Sequence, residues 1–246
     1  MTETPQPGCY EHLDFNAPLS AARAEAVARS LTRDRPADVL DVGCGWGRLL
    51  LLTVAATDTA TGRGVDSDPE LLERARADAC GRGLGDRVSF TETNLPAPLE
   101  PADAVICVGA DHAFGGQSEA LRALRELVRP GGRLLFGTGF WERVPSAEQA
   151  GVLDETPESL PDLAGLVDLA TAEGLRPLGV QTANRDEWER FESGFLADWE
   201  EWLLRYGHLP GADAVRRKAD GHRDRWLRGY RDVLGFAYLT LGRPAG

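Results

Sequence analysis

One segment constrains this chain more than any other: Val39-Leu40-Asp41-Val42-Gly43-Cys44-Gly45-Trp46-Gly47. A short apolar run with one acid reads as a buried strand, and three glycines at alternate positions follow it. An apolar helix from Trp46 to about Ala56 comes next. Glycine is needed where φ is positive, or where a bound molecule must touch backbone. The helix start behind such a turn offers N–H groups with no partner inside the helix. The segment therefore predicts a cradle for a ligand at the carboxyl end of a strand.

The rest of the first half alternates in the same way. A helix is expected from Ser20 to Leu31. A strand is expected over Arg63–Asp66, a helix over Pro69–Cys80, and strands over Val88–Phe90 and Ala104–Val108. Leu121, Leu124, Leu127 and Val128 mark one face of a helix over Glu119–Arg129. Pro130-Gly131-Gly132 stops it before a strand at Arg133–Phe136. Such alternation predicts an α/β fold, a Rossmann-like, mostly parallel sheet with helices on both faces. Further on, a helix is expected over Leu160–Glu173 with Ser159 as its cap, then a strand over Leu175–Ala183. Asn184 and Glu187 have the residue types of a capping box. They open a helix to Tyr206, and after a break at Gly207–Gly211 another runs over Ala212–Asp232. The last strand is Leu234–Leu241. The expected organisation is one domain over 1–246, with an N-terminal lid and helix at 1–35 and a helical insertion at 184–232 acting as a cap.

Composition sets limits on partners. The 246 residues carry 27 basic and 39 acidic side chains, a formal net charge of −12. That opposes polyanions and lacks the basic footprint of a nucleic-acid binder. Lys218 is the only lysine, and the heavy use of arginine is read as coding bias. No apolar run reaches the length of a membrane span, and residues 1–5 lack the features of a signal peptide. The four cysteines, Cys9, Cys44, Cys80 and Cys107, form no CxxC pair, so neither a metal site nor a disulfide framework is expected. The expected location is the cytoplasm, as monomer or homodimer.

A second signal, Gly64-Val65-Asp66-Ser67, ends the next strand 19 residues after Gly47. A carboxylate there can accept both hydroxyl protons of a ribose. Two cofactor classes fit a glycine turn plus a ribose acid. The nicotinamide fingerprint wants G-x-G-x-x-G, but its third glycine position holds Arg48. The third glycine falls at Gly47, giving G-x-G-x-G. Here the sequence resembles the class I S-adenosylmethionine-dependent methyltransferases, whose first motif is a strand ending in an acid followed by that turn.

The resemblance continues through residues 17–140 and implies S-adenosylmethionine as cofactor, with S-adenosylhomocysteine as product. It implies that Asp41, Gly43, Cys44, Gly45 and Gly47 form the cradle and that Asp66, beside Ser67, binds the ribose. Asn94, with Leu95, takes the place of the family's usual acid at the adenine edge. Gly109 closes the fourth strand. The family's Asn/Asp-Pro-Pro-Tyr type motif of amino-methylating members is absent after that strand. Asp111 and His112 stand there instead, beyond the carboxyl end of a strand where ligands sit in open α/β sheets. His112 is the candidate general base.

Tyr10, His12 and Phe15 are candidates for a lid over the acceptor, and Trp141, Trp188 and Phe191 for its walls. Trp188, Phe191, Phe195, Trp199, Trp202 and Tyr206 share one helix face, and burial of that stripe is the plainer reading of it. The expectation is methyl transfer to a small, partly apolar acceptor at an oxygen, nitrogen or carbon atom, with no nucleic-acid or membrane partner. The alternatives are a cofactor-binding protein without transfer and an NAD(P)-dependent oxidoreductase on a Rossmann sheet.

Overall fold

A computed structural model describes residues 6–8, 10–153, 156 and 159–245. Cys9 lies outside the described residues. The elements are α1 (Ala21–Leu31), β1 (Asp38–Val42), α2 (Arg48–Ala55), β2 (Thr61–Asp66), α3 (Pro69–Gly81), β3 (Val88–Glu92), β4 (Ala102–Val108), α4 (Gln117–Leu127) and β5 (Val128–Trp141). Then come α5 (Ala147–Leu153), α6 (Leu163–Ala172), β6 (Arg176–Thr182), α7 (Arg185–Tyr206), α8 (Ala212–Asp224) and β7 (Leu234–Gly242). The seven strands form one sheet in the order β3-β2-β1-β4-β5-β7-β6. Each described pairing is parallel except those of β7, which runs antiparallel to both neighbours. The order reverses between β1 and β4, so a crevice opens above their carboxyl ends.

Side chains along a strand alternate between faces, and two apolar cores result. Val39, Ala104, Ile106, Leu135 and Tyr238 pack with α1, α2 and α3 on one face. Leu40, Val42, Val105, Cys107, Leu134 and Phe136 pack with α4 and α6 on the other.

Several local expectations need correction. Asp162, not Ser159, caps α6, because its side chain accepts from the Gly165 N–H at 2.7 Å. Helix α4 stops at Leu127, and β5 already begins at Val128; Gly131, at φ +82°, turns the chain within that strand. The helix expected to Asp232 is regular only to Asp224 and ends in a π-helical turn, Arg225–Tyr230. Helix α5 gave no periodic signal, being only seven residues long.

The capping box forms: Asn184 Oδ1 accepts from the Glu187 N–H, and a Glu187 oxygen accepts from the Asn184 N–H. Glu187 does more than cap α7. It also accepts from the Ser20 N–H and hydroxyl, at 3.1 and 2.6 Å, and pairs with Arg23. Ser20 is itself the cap of α1. One buried carboxylate thus joins the starts of two helices 164 residues apart in sequence, from Arg23 to Glu187. Burial raises the Glu187 carboxyl, but Arg23, Ser20 and the Asn184 N–H outweigh it and bring it down to about 2.

Candidate active site

The turn after β1 carries three left-handed glycines: Gly43 (φ +73°), Gly45 (+53°) and Gly47 (+70°). Each serves differently. A Cβ on Gly43 would stand 2.4 Å from the Ala110 side chain, so this glycine lets the turn approach the exit of β4. A Cβ on Gly45 would meet nothing within 4 Å, because that position faces the cavity. Gly47 faces away from the cavity, against Phe90, where a Cβ would lie 2.6 Å from a ring carbon.

Asp66 ends β2, and its two carboxylate oxygens accept from the Gly45 N–H at 2.8 Å and the Asp68 N–H at 3.0 Å. It therefore clamps the middle of the glycine turn. A carboxylate can accept about four hydrogen bonds, so acceptor capacity remains for a ligand. Asp41 is only 3% exposed. Burial, and then the charge of Asp66, push its carboxyl up to about 8. Burial also pushes the Cys44 and Cys107 thiols upward, which leaves neither as a ready thiolate.

These residues line a cavity of about 380 Å³ with Ser67, Asn94, Leu95, Gly109 and His112. Nine of the ten residues expected to hold the cofactor are in its wall; Gly47 supports the turn from behind. His112 sits in a 3₁₀ turn, Asp111–Phe114, on the rim and exposed. Asp111 precedes it in the turn but is not part of the wall. The turn is followed by α4, whose buried Gln117 donates to Thr138 and to the Gly139 carbonyl near the end of β5.

The N-terminal segment closes one side. Phe15, Asn16, Ala17 and Leu19 line the cavity, and Phe15 is 6% exposed. The Trp46 indole N–H donates to the Asp14 carbonyl at 3.2 Å. Arg74 lies over the Trp46 ring at 4.4 Å and donates to the Tyr10 carbonyl. Tyr10 and His12 do not enter the cavity. Tyr10 packs between Trp46 and Phe195. His12 Nδ1 bonds Asp198 at 2.8 Å, and its Nε2 lies 3.3 Å from Glu201. These contacts fasten the segment to α7, where Gly194 leaves room for Leu13 and the His12 carbonyl. The Asp198 hydrogen bond is the main influence raising His12 above its ordinary value.

Three expected walls stand elsewhere. Strand β5 runs on to Trp141, which packs with Leu153 and Val233 and is 5% exposed. Trp188 lines a second cavity of about 390 Å³ with Trp226 and Tyr230, and that cavity shares no residue with the first. Phe191 lies between Trp188 and Phe195 in the aromatic stripe and borders neither of these two cavities. Phe195 and Trp199 of the stripe pack with Val215 and Ala219 of α8, and Phe195 is stacked on His222. His222 itself bonds the buried Glu192 at 2.7 Å. Sequence reasoning gave no role to Arg48, Asp68 or Thr93 in the wall, and it placed Asn16, Ala17 and Leu19 only within the expected N-terminal lid.

The architecture is that of the class I S-adenosylmethionine-dependent methyltransferases. The donor set fits that cofactor: a bare backbone cradle at Gly45 and Gly109, a carboxylate with spare acceptor capacity at Asp66, and a polar edge at Asn94. Residues 40–134 match the family model for a methyltransferase domain. The chain is 27% identical to the Escherichia coli K12 protein YjhP over 236 residues, 94% of each chain. It is 28% identical to the trans-aconitate 2-methyltransferase of Streptomyces coelicolor over 221 residues, 83% of this chain and 72% of that one. Its fold superposes on a Geobacter sulfurreducens S-adenosylmethionine-dependent methyltransferase in complex with S-adenosyl-L-homocysteine, with a TM-score of 0.83, 24% identity and 92% of each chain covered. The methyltransferase-domain match, the methyltransferase relatives and the shared fold together support an S-adenosylmethionine-dependent methyltransferase. No helix among the described residues is long and apolar enough to cross a membrane.

Proposed function

We propose that this enzyme methylates a small, partly apolar molecule held in the 380 Å³ cavity beneath the N-terminal segment. The observation that carries this reading is the roof. Phe15 to Leu19 lie in the same wall system as the glycine turn and the β4 exit, and Tyr10 to Asp14 are fastened on both sides. A concave site bordered on one side in this way suits a small molecule better than a polymer. The relative named for trans-aconitate supports a small acceptor.

Bound S-adenosylmethionine supplies a methyl group already activated by its sulfonium. The chain's residues position it and the acceptor. Asp66 takes the ribose hydroxyls while still holding the Gly45 N–H, so turn and ligand are fixed by one group. Asn94 and Leu95 would border the adenine, and Asp41 lines the same cavity at the start of the turn. His112 at the rim accepts the acceptor's proton where one must leave. Orientation is worth about 7–11 kcal/mol in well-aligned reactions, and a general base about 10²–10⁴-fold, roughly 3–5 kcal/mol. Positioning is therefore the larger contribution. The free thiols of Cys44, Cys80 and Cys107 agree with work in the cytoplasm.

The test is a panel assay of S-adenosylhomocysteine formation with small acids, amines and phenols set against transfer RNA and protein. Turnover with a small-molecule class supports the reading, and turnover only with macromolecules overturns it.

A further inference from the structure

Arg48 is the first residue of α2 and lines the cofactor cavity. Its Nε is buried and has no hydrogen-bond partner among the described residues. The whole side chain makes no ion pair or hydrogen bond to any of them, which sets it apart from most of the chain's arginines. Arg33, Arg35, Arg82, Arg143, Arg176, Arg190 and Arg217 also lack a described partner, but all seven are exposed to water. Arg48 alone is half-buried. A guanidinium is always charged and offers five donors. Withdrawing it from water without an acceptor is costly. The two acids in the same wall do not answer it: Asp66 is bonded to the Gly45 and Asp68 N–H groups, and neither it nor Asp41 lies within ion-pair distance of Arg48.

We propose that Arg48 is the carboxylate anchor of this cavity, completed by a planar, bidentate acid on the molecule that binds there. A guanidinium fork matches a carboxylate geometrically, which an ammonium does not. The inference rests on the cavity being the cofactor and acceptor site. Two molecules can bring the carboxylate, the amino-acid tail of the cofactor or an acidic methyl acceptor, and the experiment separates them.

Calorimetry of the full chain would compare wild type, Arg48→Gln and Arg48→Lys. The probes are S-adenosylhomocysteine, its decarboxylated analogue, and citrate, tricarballylate and succinate added to the S-adenosylhomocysteine complex. Loss of a charge-assisted pair predicts roughly ten- to a hundred-fold weaker binding in Arg48→Gln, with partial recovery in Arg48→Lys. If S-adenosylhomocysteine weakens and its decarboxylated analogue does not, Arg48 holds the cofactor tail. If S-adenosylhomocysteine is unaffected and the added acids lose affinity, it holds the acceptor. The proposal is overturned if Arg48→Gln binds every probe as wild type does. It is equally overturned if both nucleosides weaken alike, since that marks a support for the turn. Failure of the wild-type chain to bind S-adenosylhomocysteine would overturn the site reading and the proposal together.

Discussion

Replacing Asp66 by alanine removes two kinds of bond at once, and the structure lets them be separated. Within the protein, the carboxylate holds the Gly45 N–H at 2.8 Å and the Asp68 N–H at 3.0 Å. Hydrogen bonds to a charged group contribute about 1.5–3 kcal/mol each. Asp66 is only half-buried, so water replaces part of the loss, and about 2–3 kcal/mol in total is expected. For a chain of this size about 2–4 °C accompanies each kcal/mol, so Tm should fall by about 4–12 °C. Toward the cofactor, two ribose hydroxyls lose their acceptor. At about 1.5 kcal/mol each the cost is about 3 kcal/mol, or roughly a hundred-fold in Kd for S-adenosylhomocysteine. Asp66→Asn keeps one side-chain acceptor and should lie between wild type and alanine on both scales. Calorimetry with S-adenosylhomocysteine and thermal unfolding would be run on the same preparations. A lower Tm with unchanged Kd would refute the reasoning, because the carboxylate would then clamp the turn without touching the ribose.

Other outcomes follow from the same geometry. His112→Ala should lower kcat by about 10²-fold or more for an acceptor that must lose a proton, leaving S-adenosylhomocysteine affinity nearly unchanged; equal kcat removes the base assignment. His12 is raised by its bond to Asp198, so the latch contributes fully below the ordinary histidine value and is lost as pH rises through the folded one. Stopped-flow release of S-adenosylhomocysteine should therefore quicken as pH rises above the ordinary histidine value in wild type and stay flat in His12→Gln. A flat wild-type profile would count against the latch. Glu187 is held down to about 2, so its contribution is present above the ordinary carboxylate range and lost as pH falls toward 2. Urea unfolding should show Glu187→Gln clearly weaker than wild type at pH 7, with the gap narrowing by pH 3.

The sheet and the glycine turn after β1 were readable because they rest on local rules. Gly43 and Gly45 mark backbone at positive φ, which side chains rarely adopt, and Asp66 is placed by the strand that precedes it. The acceptor side was harder to read. Trp141 looked like a pocket wall because β5 was expected to end at Phe136, yet its pairing with β7 carries it five residues further. That pairing depends on a strand about a hundred residues away. His12 was expected over the acceptor, but Asp198 and Glu201 hold it, partners no local pattern reveals. In sequence Arg48 only marks the break from the nicotinamide fingerprint. What distinguishes it is burial without a partner, a property of three dimensions. Trp188 is partly buried, and the cavity it borders lies apart from the one at the glycine turn.

The central claim is that the methyl group goes to a small molecule. Its most direct test is transfer of labelled methyl from S-adenosylmethionine into an extract of the organism that encodes the chain, separated by size. Label in the small-molecule fraction, lost with Asp66→Ala, is the predicted result. Label confined to nucleic acid or protein would contradict it.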